Sequence, residues 1–86
     1  MNFNNLVIAF RKARMQLADE GKEAKFVRVT CEQLANIKEH REGWLIESEG
    51  GLKFDGLNVV TRGSIRDCNM REARPRVLYI DLTKVE

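Results

Sequence analysis

Apolar positions recur at helical spacing near the start of the chain and shift to strand spacing further on. Between residues 5 and 20, Leu6, Phe10, Ala13 and Leu17 fall within a narrow arc at 100° per residue, flanked by Val7, Ala9 and Ala18. This pattern predicts an amphipathic helix, with Asn4 or Asn5 available to cap its start and Gly21 to close its end. Ile8 and Met15 lie on the opposite side, beside Arg11, Lys12 and Asp19. Two apolar side chains one heptad apart on a polar face read either as scattered exposed residues or as a seam for a partner.

Residues 25–30 alternate as a strand, with Val27 and Val29 on one face and Phe26 and Arg28 on the other. Thr30-Cys31-Glu32-Gln33 then fits a capping box, in which hydroxyl and amide side chains reciprocally satisfy free backbone N–H groups. It opens a second helix with Cys31, Leu34 and Ile37 on its apolar side and Gly43 as its stop. Residues 44–48 read as a strand and 49–51 as a turn. Residues 52–54 and 57–61 flank Asp55-Gly56, the strongest hairpin signal in the chain. A polar, Arg-rich stretch follows, with a short helix starting at Ser64 or Asp67 and ending before Pro75. Residues 76–82 are apolar on both faces, which predicts an interior strand or one meeting another subunit.

The expected order is α-β-α-β-β-β-(short α)-β. It predicts one α+β domain over residues 1–86, with a mostly antiparallel sheet of four to five strands and the helices on one face. At 86 residues such a domain has a small core, so association with a second copy or another protein would help it.

Charge adds one distinction. The net value of +2 argues for no partner, but the order along the chain is basic, acidic, basic. Residues 1–30 hold six Lys/Arg against three Asp/Glu, and residues 39–55 hold two against five. Arg62, Arg66, Arg71, Arg74 and Arg76 then stand against only Asp67 and Glu72. These arginines are the candidate nucleic-acid-binding residues, because guanidinium forks bind phosphate oxygens. The competing reading is that they neutralise the acidic middle, for instance Glu47, Glu49 or Asp55. No aromatic residue is interleaved with them as a base-stacking platform would need, and no helix-turn-helix pair is evident.

Catalytic chemistry finds little to work with. His40 is the single histidine. Within the second helix, Cys31 lies about 13 Å away along the axis and on the opposite side. Pairing with Cys68, or acid–base work by Glu47/Glu49 or Glu39/Glu42, would depend on a convergence that spacing does not suggest. Two cysteines and one histidine make no zinc pattern, and the glycines between 50 and 56 lack the Gly-Lys-Ser/Thr of a phosphate loop. The expectation is therefore no catalytic residues, no metal and no cofactor.

Sparse cysteines, no glycosylation acceptor, no signal-like start and no long apolar run lead us to expect a reduced, cytoplasmic protein without membrane association. The small size and missing catalytic apparatus resemble small phage or mobile-element accessory proteins. That resemblance implies a viral inhibitor that works by occupying another protein's surface. The expected function is a non-enzymatic protein-binding module that regulates or inhibits a larger partner, with a homodimer in view. Its candidate partner-binding residues are Ile8, Arg11, Met15, Trp44 and Tyr79, since aromatics and arginines recur at binding hot spots.

Overall fold

The computed structural model describes residues 3–40, 45–48, 51–74 and 76–85. Eight elements follow one another: α1 (Phe3–Asp19), β1 (Phe26–Val29), α2 (Cys31–Glu39), β2 (Leu45–Ser48), β3 (Gly51–Phe54), β4 (Leu57–Thr61), α3 (Ile65–Glu72) and β5 (Tyr79–Asp81). The class is α+β, and the five strands form one sheet in the order β2-β3-β4-β1-β5.

Local signals act as their chemistry requires. At the end of α1, Gly21 takes φ 72° and the Lys22 N–H reaches back to the Leu17 carbonyl at 2.8 Å. Thr30 and Gln33 complete both halves of the capping box at α2. Asp55 and Gly56 both take positive φ, 48° and 86°. That is the twist a two-residue hairpin needs to join β3 to β4. Two expectations shift in position. Because α1 begins at Phe3, Asn4 and Asn5 lie inside its first turn and do not cap it. On α2 the inward positions are Gln33 and Ile37, while Cys31 is exposed. The proposed helix stop at Gly43, Trp44 and the turn residues 49–50 lie outside the described residues.

The sheet is mixed, which corrects the expectation of a mostly antiparallel one. The meander β2-β3-β4 is antiparallel, but β1 pairs parallel with both β4 and β5. The cause is the pair of crossovers. From β1 the chain travels through α2 and the β2-β3 hairpin to reach β4. From β4 it returns through α3, past β1, to β5. Crossovers between parallel strands are right-handed. Two that run in opposite directions across a sheet must therefore place their helices on opposite faces. The helices accordingly do not share one face. Ile37 of α2 joins Leu6 and Phe10 of α1, Val27, Val29, Phe54, Leu57 and Ile80 in the main core. Asp67 of α3 lies under Arg28 on the other side.

The final strand is also corrected. The strand spans only Tyr79–Asp81, and β5 is an edge of the sheet, not an interior strand. Its second face is occupied within the chain, by contacts to Arg74 and Arg28. No helix among the described residues is long and apolar enough to cross a membrane.

Candidate binding surfaces

Helix α1 has a buried side and an exposed side. Its inner side buries Leu6 and Phe10, with Phe10 edge-on to Phe54 at 4.9 Å between ring centroids. Arg14 ties the helix to the β3-β4 turn through a 2.8 Å ion pair with Asp55. The helix is thus held in register over the sheet, and its outer side is set by that anchoring. There Ile8 is 63% exposed and Met15 67% exposed, with Arg11 and Lys12 also exposed between them. Ile8, Arg11 and Met15 therefore share one surface. Tyr79 does not join them. It lies half-buried at the sheet edge, lining a groove with Ala13, Gln16 and Leu17 of α1 and neither Ile8 nor Met15. Trp44 lies outside the described residues.

The five arginines divide. Arg71 lies 3.6 Å from Asp67, one helical turn earlier. Arg74 stacks on the Tyr79 ring at 4.9 Å and donates to its hydroxyl at 3.1 Å. Arg62, Arg66 and Arg76 are exposed and make no ion pair among the described residues. Asp55, one of the acids proposed to neutralise this segment, is taken by Arg14 of α1 instead. Arg62 and Arg66 stand at the start of α3, Arg74 and Arg76 beyond its end, so the cations bracket the helix. Beside α3 runs an apolar groove of about 270 Å³ lined by Phe26, Arg66, Asn69, Met70, Ala73 and Val77.

Beneath α3 lies an ionic layer that sequence reasoning missed. The Asp67 side chain is fully buried, and Arg28 meets it through Nε at 2.7 Å and Nη2 at 3.3 Å. The Gly63 amide also donates to Asp67, at 3.0 Å. The Arg28 hydrogen bond, helped by Gly63 and opposed by burial, holds the Asp67 carboxyl below its ordinary 3.8. In return Asp67 raises the Arg28 guanidinium. Arg28 reaches Asp81 at 3.2 Å as well. Burial pushes the Asp81 carboxyl up, but hydrogen bonds from the Thr83 hydroxyl and amide, with Arg28, outweigh it and the net shift is downward. The available signal was Arg28 itself, a charged residue on the strand face opposite two valines. Gln33 also does more than close its capping box: its buried amide donates to the carbonyls of Leu82 and Val85 and ties residues 82–85 to α2.

His40 stacks on Phe3 at 4.9 Å, and its Nδ1 lies 2.9 Å from the Asn36 carbonyl. Cys31 and Cys68 are both free and exposed. Among the described residues there is no group of three potential metal ligands. Comparison with family models, curated proteins and solved structures returns no match.

Proposed function

We propose that this protein is a non-enzymatic binding module that regulates or inhibits a larger protein partner, seated through the outer face of α1. The observation that carries the reading is the exposure of Ile8 and Met15, 63% and 67%, on a helix whose inner side is fully committed to the core. Two apolar side chains at i and i+7 form one line along a rigid helix, the arrangement used by helix-in-groove recognition. Arg11 and Lys12 between them select a groove with an acidic rim, because complementary charge steers encounter and fixes orientation. The same charges disfavour a second copy on this face. Antiparallel packing of two α1 helices that sets Ile8 against Met15 also sets Arg11 against Lys12.

The test is affinity capture from the native cell with wild-type and Ile8→Asp/Met15→Asp protein, with a nuclease-treated arm. The reading expects one protein partner, retained after nuclease and lost with the double variant. Capture of that same partner by the double variant defeats it.

A second reading, an accessory nucleic-acid binder, draws on one specific observation: Arg62, Arg66 and Arg76 remain without ion pairs among the described residues. It expects DNA or RNA retardation that falls steeply with salt. Arg62→Ala and Arg66→Ala should weaken that binding evenly across sequences. No retardation at low salt removes this reading.

A further inference from the structure

The edge at β5 leaves outward backbone groups beside charged and aromatic side chains. The Leu82 N–H donates to the Arg28 carbonyl at 2.9 Å, and the Leu78 carbonyl accepts from Lys25 at 3.1 Å. Backbone groups alternate direction along a strand. Residues 78, 80 and 82 thus aim theirs at β1, and Tyr79 and Asp81 aim theirs outward. Both of these residues are in register with β1 positions whose side chains share the α3 face: Tyr79 with Phe26 and Asp81 with Arg28. A groove of about 250 Å³ runs along this edge, lined by Ala13, Leu17 and Glu20 from α1 and the turn after it and by Arg74, Tyr79, Ile80 and Asp81. An edge strand with outward amides next to an apolar helix stripe is a template for a further strand.

We infer that β5 is the seam of a homodimer, in which two copies pair their β5 strands antiparallel about a two-fold axis at Ile80 and join their sheets into one. The register follows from the outward groups. Antiparallel residues that face each other as a hydrogen-bonded pair exchange both N–H···O bonds. Centring on Ile80 sets Tyr79 opposite Asp81 of the second copy, and the reverse, so every outward group on both strands is used. The side chains agree with this register. Arg74 already lies on Tyr79, so its guanidinium is carried next to Asp81 of the second copy, and symmetry makes that contact twice. On the α1 face, Ile80 meets Ile80, and Ala13 and Leu17 face the second copy's helix. A different protein's strand could use the same backbone groups, but a second copy of this chain brings Arg74 and Asp81 to both sides of the seam by symmetry.

The test measures self-association by sedimentation across a wide concentration series, together with hydrogen exchange at single amides. Wild type is expected to dimerise reversibly, and the Tyr79 and Asp81 amides to lose protection on dilution while the Ile80 amide keeps it. Arg74→Glu sets like charges together at two places and should weaken dimerisation by roughly tenfold or more. Tyr79→Pro deletes an outward N–H that the monomer's own sheet does not use, so it should give a folded monomer, checked by its circular dichroism melt. A chain that stays monomeric at every concentration overturns the inference, including one that instead takes up another protein's strand. A dimer in which the Tyr79 and Asp81 amides exchange as they do in the monomer also overturns it, whatever the folding of the variants. So does a dimer lost on Ile65→Asp, since the 82% exposed Ile65 lies on α3 and away from the seam.

Discussion

The two faces of the sheet are held by different physics. The face under α1 and α2 is a packed apolar layer built from Leu6, Phe10, Val27, Val29, Ile37, Phe54 and Ile80. The face under α3 buries Val60 and Met70 as well, but it is organised round a buried carboxylate, Asp67, with Arg28, Arg71 and the Gly63 amide converging on it. Apolar burial is non-directional and tolerates small adjustments. A buried ion pair is directional and fails when either member is lost. The first face therefore supplies most of the stability. The second sets where α3 sits, and with it the positions of Arg62, Arg66 and Arg74.

The largest expected effect is on the apolar face. Phe10 is fully buried and contacts Phe54. Phe10→Ala should cost about 3–5 kcal/mol in urea unfolding, enough to unfold much of so small a domain. A loss below about 1 kcal/mol would mean that this layer is not the main source of stability.

Next comes the ionic face. Arg28→Met leaves the Asp67 carboxylate buried without its main partner and should cost about 3–5 kcal/mol. Arg28→Met with Asp67→Leu removes both charges, and its stability should return close to wild type or above. Near-equal losses in the single and double variants would show that the pair contributes net stability, making the two faces more alike than proposed.

Acid sharpens the same contrast. The folded Asp67 carboxyl titrates below its ordinary value of 3.8, so the unfolded chain binds that proton first as pH falls. The stabilisation is complete above the unfolded value and is lost as pH drops through the folded one. Asp81 has the same sign. Wild-type stability should be flat above about pH 5 and decline below pH ~4. The Arg28→Met/Asp67→Leu variant should decline less, as followed by urea midpoints at each pH.

The apolar face was legible in the sequence because its signals are local. The 3.6 period of α1, the Thr30–Gln33 box and Asp55-Gly56 each specify geometry within a few residues. The parallel pairing of β1 with β4 and β5 was not legible, since Phe26 meets Asn58 only after one crossover and Tyr79 only after a second. Arg28 could be placed on the outer strand face, but its partner lies 39 residues away. For the same reason the fate of the arginines stayed open: sequence shows five like charges, and only the fold assigns Arg71 to Asp67 and Arg74 to Tyr79. The residues 76–82 show the limit of alternation. Apolar character on both faces suits an interior strand or one that meets another subunit, and β5 is an edge whose second face is covered by Arg74 and Arg28 of the same chain.

The smallest effect concerns the two helix starts, one on each face. Thr30 at α2 and Ser64 at α3 both accept from a backbone N–H one turn on, that of Gln33 and Asp67 respectively, each at 3.1 Å. Replacing either by Ala should cost about 1 kcal/mol. The two caps differ in what their third helical residue does. Gln33 returns its amide oxygen to the Thr30 N–H at 2.9 Å, closing a self-contained box. Asp67 is held at its own N–H by Ser64, but its carboxylate faces Arg28 and Gly63. Ser64→Ala should therefore loosen the ionic layer as well as the helix end. In double-mutant cycles, Ser64→Ala should couple to Arg28→Met by about 0.5 kcal/mol or more, whereas Thr30→Ala should add to it within error. Equal additivity at both caps would show that the α3 start and the ion pair are independent, and that the ionic layer does not control the placement of α3.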